Sequence, residues 1–284
     1  LQFCRYRSAY EIALMPNIRP IKKIITGEEA SDGAGVRLTR VFGHHDTRDF
    51  DPFLMLDAFD SRNPDDYVRG FPWHPHRGIE TITYLIAGDI EHGDSLGNRG
   101  SIRDGDCQWM TAGSGIIHQE MPQPTERIWG AQLWLNLPEK DKMTAPAYRD
   151  IAHADIPVVT EEGVRIKIIS GTYADTQGSF RGEHVPATYL DVEILPGRSW
   201  SIDTVLGTTV FVYIFDGSGR FSSDTREVDA RHVILFGDGE TLSVVAGAQG
   251  LRFIFLCAQP LGEPIAWGGP IVMNTQAELD QAFQ

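Results

Sequence analysis

Residues 71–80 read FPWHPHRGIE, and residues 111–120 read TAGSGIIHQE. Each stretch contains two potential metal ligands two residues apart, His74 with His76 and His118 with Glu120. On a β-strand, residues i and i+2 point to the same face. Two such strands in one barrel would bring three imidazoles and one carboxylate together. The two stretches therefore predict strands that hold a mononuclear metal site.

The surrounding sequence consists of short apolar segments separated by turn residues. Residues 79–87 (IETITYLIA) are rich in β-branched and aromatic side chains and end at the turn signal Gly88-Asp89. Residues 128–137 (IWGAQLWLNL) alternate apolar and polar side chains, as half-buried strands do. This pattern predicts an all-β protein, either an antiparallel barrel or a sandwich. Near the end, the capping box of Thr275 and Glu278 predicts one short helix from about Gln276.

The length of 284 residues suits two domains of roughly 100–150 residues each. Residues 138–157 are polar and hold three prolines, so we expect them to bridge the domains. We therefore predict an N-terminal metal-binding barrel at 15–140 and a C-terminal barrel at 155–284. His184 and His232 are isolated in the second half, which predicts that it holds no metal ligands. Residues 1–14 are expected to be a foreign or disordered extension.

The net charge of −14 disfavours direct binding to nucleic acids or to anionic lipid. No apolar run approaches the roughly 20 residues that a membrane-spanning helix needs. The three cysteines are far apart and form no CxxC motif, which suits a reducing compartment. We expect a cytoplasmic protein.

The carboxylate ligand can be chosen from two candidates. Glu120 is favoured because it lies two residues from His118. Glu80 lies four residues beyond His76, an even spacing that strand parity does not exclude, so it stays as an alternative or as a nearby carboxylate. Three nitrogens and one oxygen, with coordination positions left open, are typical of a catalytic first-row metal.

If the barrel interior holds the metal, some large side chains must line the cavity around it. Aromatic residues are more often part of a core than of a substrate wall. The candidates for the substrate pocket are Phe53, Trp109, Met110, Gln132 and Trp134.

Five runs of residues resemble the pirin family of bicupins, namely 51–54, 74–81, 108–122, 132–134 and 263–275. The resemblance extends over about 15–284. It implies two cupin barrels, which are double-stranded β-helices of jelly-roll type, with iron only in the first. Carried over by motif, the ligands of one Fe(II) ion would be His74, His76, His118 and Glu120. Mn, Ni, Co, Cu or Zn would also suit this ligand set.

The resemblance implies an oxidoreductase of the quercetin 2,3-dioxygenase type. Such an enzyme opens the central ring of a flavonol with O2 and releases carbon monoxide. Glu120, or else Glu80, would accept the proton of the flavonol 3-hydroxyl group. The family also implies an alternative, a non-enzymatic regulatory protein whose iron changes oxidation state and whose partner is a transcription factor or a metabolic enzyme.

Overall fold

The computed structural model describes residues 17–284, and it consists mainly of antiparallel β-strands. Residues 1–14, predicted to be an extension, lie outside the described residues. The strands of the first half are β1 (Ile21–Thr26), β2 (Glu28–Asp32), β3 (Val36–Phe42), β4 (Phe53–Ser61), β5 (Phe71–His76), β6 (Ile79–Ala87), β7 (Asp89–Asp94), β8 (Arg99–Arg103), β9 (Cys107–Thr111), β10 (Ile116–Pro122), β11 (Ile128–Asn136) and β12 (Ala147–Ile151). The α-helix α1 (Thr47–Phe50) and 3-10 turns at His44–Asp46, Pro64–Asp66 and Glu139–Asp141 connect them.

The second half continues the same architecture after a 3-10 turn at His153–Asp155. Its strands are β13 (Val158–Glu161), β14 (Val164–Ser170), β15 (Thr172–Tyr173), β16 (Thr176–Gln177), β17 (Ala187–Ile194), β18 (Ser199–Asp203), β19 (Thr209–Phe221), β20 (Glu227–Asp229), β21 (His232–Phe236), β22 (Thr241–Ala258), β23 (Ala266–Gly268) and β24 (Ile271–Met273). The predicted C-terminal helix is present as α2 (Gln276–Ala282), and Thr275 and Glu278 form the expected capping box. No helix among the described residues is long and apolar enough to cross a membrane.

In the first half, a seven-stranded sheet (β12-β9-β6-β11-β4-β3-β2) and a four-stranded sheet (β5-β10-β7-β8) form the walls of a barrel. The second half is built on a nine-stranded sheet with the path β1-β21-β19-β22-β17-β14-β13, to which β18 adds by pairing with β22 and β20 by pairing with β19. The all-β bicupin fold expected from the sequence is thereby confirmed. Strand β1 pairs with β21, so the beginning of the chain is hydrogen-bonded to the second half. The exact domain limits stay a prediction.

A shared core joins the two halves. It contains Phe53 and Trp109 of the first half and Tyr189 and Phe211 of the second, all at most 1% exposed. Burying large aromatic side chains of both halves together contributes strongly to their association. A separate apolar core, which includes Ile166, Leu190 and Phe253, occupies the second half. The predicted histidines lie on the four-stranded sheet, which contacts the other face of the seven-stranded sheet, for example where Thr83 of β6 donates to Glu120 of β10.

Candidate metal centre

His74 and His76 lie on β5, and His118 lies directly opposite His74 on the neighbouring strand β10. The spacing of two residues places both β5 imidazoles on one face, as the sequence predicted. A ligand nitrogen from each of the three side chains lies within 4.8 Å of the other two. Among the described residues, this is the one group of three or more histidine, cysteine or acidic side chains with that property.

Hydrogen bonds fix the orientation of each imidazole. Nδ1 of His74 lies 2.9 Å from the carbonyl oxygen of Pro72, and Nδ1 of His76 lies 3.1 Å from that of Pro270. A carbonyl oxygen only accepts, so both Nδ1 atoms carry the proton and both Nε2 atoms present a lone pair. Nδ1 of His118 lies 2.9 Å from the phenolic oxygen of Tyr148.

The remaining Nε2 atoms fit a metal ion. Those of His74 and His76 face each other at 3.1 Å, and two lone pairs this close are stabilised when both bind one cation. Nε2 of His118 is buried and has no hydrogen-bond partner. An orphaned buried nitrogen costs free energy unless a ligand satisfies it. Three imidazoles with outer hydrogen bonds are a usual donor set for first-row metals.

The electrostatics of the site keep the Nε2 atoms of His76 and His118 free of protons. Burial lowers the pKa of His76 to about 3, with further contributions from neighbouring His118 and His74. Burial also lowers the pKa of His118 to about 3, again assisted by His74. Both side chains are therefore neutral near pH 7, as metal binding requires.

Glu120 lies beside the three histidines but is not a member of the group within 4.8 Å. Glu120 is 4% exposed, and its carboxylate accepts hydrogen bonds from the Nε2 amide of Gln132 at 2.9 and 3.1 Å. The hydroxyl of Thr83 also donates to it, at 3.3 Å. These donors hold the carboxylate at the wall of the cavity that His74 and His76 also line. The role of Glu120 as fourth ligand stays a prediction.

Glu80 is placed away from the histidines. Gly78, with a φ of +75°, separates β5 from β6, so the alternation of side chains does not continue from His76 to Glu80. Glu80 accepts a hydrogen bond from Thr111 at 2.7 Å and shares the sheet face of Ile82, which packs toward the second half. Burial raises the pKa of this carboxyl group.

The five side chains predicted for the substrate pocket divide into two sets. Gln132 and Trp134 line the cavity, as expected for residues of one strand parity. Phe53 and Trp109 lie instead in the core between the two halves, because their positions on β4 and β9 face away from the histidines. Met110 is buried beside Trp134 in a small core and does not line the cavity.

The cavity has a volume of about 1070 Å³. His74, His76 and Glu120 form part of its wall, and the aromatic rings of Trp134 and Trp267 lie 5.8 Å apart beside them. The cavity is also lined by the end of β1, by β2 and by the 3-10 turn at His44–Asp46. The space is large enough for a planar molecule of several rings.

Sequence reasoning missed three residues that support the site, Tyr148, Trp267 and Pro270. Tyr148 lies on β12, within the segment predicted to be only a bridge; this strand pairs with β9 instead. Trp267 and Pro270 follow the histidine motifs by about 150 residues or more. The sequence signal for Trp267 and Pro270 was that residues 263–275 resemble the pirin family. Such a resemblance does not show where these residues lie relative to the histidines.

Comparison with known proteins agrees with this geometry. Residues 35–135 match the Pirin family, and residues 189–284 match the Pirin C-terminal cupin domain. A pirin-like protein of Caulobacter vibrioides is 44% identical over 94% of this chain and 96% of its own length. A Pseudomonas aeruginosa protein, provisionally described as a quercetin 2,3-dioxygenase, is 43% identical over 95% of this chain and 97% of its own.

Among solved structures, quercetin 2,3-dioxygenase from Acinetobacter baumannii superposes with a TM-score of 0.87. It is 32% identical, and the match covers 94% of this chain and 96% of the other. With both family patterns in order along one chain, and with relatives matched over nearly their full length, the chain belongs to the pirin family.

Proposed function

We propose that this protein is a mononuclear metal-dependent dioxygenase of the quercetin 2,3-dioxygenase type, which opens the ring of a flavonol with O2. One observation carries the proposal: three imidazoles converge, and two of them, His74 and His76, lie in the wall of a cavity of about 1070 Å³ that is also lined by two indole rings. A metal centre at an aromatic cavity suits oxidation of a planar aromatic substrate.

Fe(II) is the proposed ion, and His74, His76, His118 and Glu120 would hold it. When bound, the metal acidifies a coordinated hydroxyl group and supplies the redox chemistry that O2 requires. The similarity to a quercetin 2,3-dioxygenase over 94% of this chain supports the choice of reaction.

The acid–base step is assigned to Glu120. Its carboxylate would take the proton of the flavonol 3-hydroxyl group at Oε1 or Oε2. The Nε2 amide of Gln132 touches both oxygens, and Thr83 touches Oε1, so the carboxylate is oriented before the substrate arrives. Glu80 has no part in this step, because it lies on the opposite face of the sheet.

The cavity walls favour an uncharged aromatic substrate. Trp134 and Trp267 offer flat apolar surfaces that exclude water and orient a ring system. Glu28, Glu29 and Asp32 also line the cavity and give it negative potential. Arg40, a cation in the cavity wall, forms ion pairs with Asp57 at 2.7 Å and with Asp32 at 2.9 Å. A phenol is therefore better suited than a dicarboxylate.

The direct test loads metal-free protein with Fe(II) under anaerobic conditions and then adds quercetin and O2. Loss of the quercetin absorption band, dependent on the metal, is the expected result. His118→Ala should bind no iron and show no turnover. Wild-type protein that binds one iron per chain without consuming any flavonol would contradict the proposal and favour the regulatory alternative.

A further inference from the structure

The C-terminal hairpin, defined here as residues 266–273, lies against the metal centre of the first half. It consists of β23 and β24, which pair with each other from Ala266–Met273 to Gly268–Ile271. It follows β22, the longest strand of the second half, and besides packing on α2 it contacts the end of the histidine strand β5. The hairpin therefore closes one side of a site whose ligands come from elsewhere in the sequence.

Two polar contacts fasten the hairpin to the ligand strand. The carbonyl oxygen of Pro270 accepts from Nδ1 of His76 at 3.1 Å. The amide of Val272 donates to the carbonyl oxygen of Arg77, the next residue along, at 3.1 Å. The approach is so close that a Cβ atom on Gly78 would lie 2.0 Å from the carbonyl oxygen of Val272.

Lys142 connects the hairpin to two further elements. Its ammonium group donates to the carbonyl oxygens of Gly78 at 2.9 Å and Val272 at 3.0 Å, and to Oδ1 of Asn136 at 2.8 Å. The side chain is 1% exposed, and none of these three partners is a carboxylate. Burying an ammonium group among neutral acceptors is costly. The three acceptors offset part of that cost only while the hairpin is in place.

We propose that the C-terminal hairpin is a positioning element of the metal centre, that Lys142 fastens it there, and that metal occupancy and order of the hairpin are coupled. This inference rests on the proposed metal site. The Pro270 carbonyl selects the His76 tautomer that leaves Nε2 free for the metal. A metal ion that holds His76 in place must in turn stabilise the hairpin, since coupling between two sites is reciprocal.

The first experiment measures amide hydrogen exchange in wild-type protein, metal-free and loaded with Co(II). We expect the Val272 amide and its neighbours in the hairpin to exchange at least about ten-fold more slowly in the loaded protein. Slower exchange at His74, His76 and His118 with no change at 271–273 would overturn the coupling. Failure of the wild type to bind Co(II) would overturn the metal site and the coupling together.

The second experiment compares Lys142→Met with Lys140→Met, an exposed lysine of the same turn. Loss of an interaction that orients a metal-binding side chain typically weakens metal binding about ten- to hundred-fold. We expect that loss for Lys142→Met in competition with a chelator, together with a shifted Co(II) absorption spectrum. Lys140→Met should match the wild type in both. Unchanged affinity and spectrum in Lys142→Met protein with a normal circular dichroism spectrum would contradict the fastening role.

Discussion

The Nδ1 atom of His118 lies 2.9 Å from the phenolic oxygen of Tyr148, and the Tyr148 ring stacks on the buried His92 ring at 5.4 Å. The third proposed ligand is thus oriented by β12, the last strand of the first-half barrel in sequence. Each of the three histidines has one such outer partner, and each partner comes from a different segment of the chain.

Removing the phenolic oxygen should weaken metal binding without removing a ligand. Tyr148→Phe keeps the stacked ring but leaves Nδ1 of His118 without its partner, so the imidazole loses its fixed orientation. We expect metal affinity to fall about ten-fold or more, measured by competition with a chelator. Affinity equal to that of the wild type would show that Tyr148 only fills space.

The two candidate carboxylates can be separated by nearly isosteric substitutions. Glu120→Gln should lower turnover of quercetin by at least about 100-fold, because the proposed proton acceptor is lost. Glu80→Gln should leave turnover within about two-fold, since Glu80 faces the second half. An equal loss in both variants would contradict the assignment.

The stability of the protein should depend on pH through Lys142. Burial lowers its pKa from the ordinary 10.5 to about 8. Between pH 8 and 10.5, the unfolded chain therefore holds a proton that the folded protein has released, so stability from this group rises with pH. Relative to Lys142→Met, the metal-free wild type should gain up to about 1.4 kcal/mol in free energy of unfolding per pH unit in this window. A constant difference across the window, measured by urea unfolding, would contradict the lowered pKa.

The shared core should be a main source of stability. Phe211 is fully buried, and its ring meets Phe42, Phe50 and Phe53 of the first half at 5.0–5.4 Å. Phe211→Ala should cost about 3–5 kcal/mol of unfolding free energy, measured by urea denaturation. Phe283→Ala, at a ring that is 61% exposed, is the control and should cost less than about 0.5 kcal/mol. Similar losses in both variants would refute the importance of the shared core.

The common face of His74 and His76 could be predicted from sequence because it depends on short-range geometry, whereas the approach of His118 depends on the pairing of β10 with β5. A two-residue spacing fixes a common face on any strand. Glu80 could not be placed in this way. Parity holds only within one strand, and the positive φ of Gly78 ends the strand before Glu80.

The faces of Phe53 and Trp109 depend on which side of the sheet meets the second half. Apolar character alone does not distinguish a cavity wall from a core between two sheets. The carbonyl of Pro270 contacts His76, and the phenol of Tyr148 contacts His118. Neither residue stands at a sequence spacing from the histidines that would predict the contact. Likewise, β1 pairs with β21 more than 200 residues later, a long-range contact that local patterns do not reveal.

The most direct test of the proposed function is the fate of labelled O2. Fe(II)-loaded protein is supplied with quercetin and isotopically labelled O2, and carbon monoxide and the ring-opened product are measured by mass spectrometry. The proposal predicts one carbon monoxide per quercetin consumed and both labelled oxygen atoms in the organic product, with neither formed by His118→Ala. Quercetin loss without carbon monoxide, or product without the label, would contradict a dioxygenase at this site.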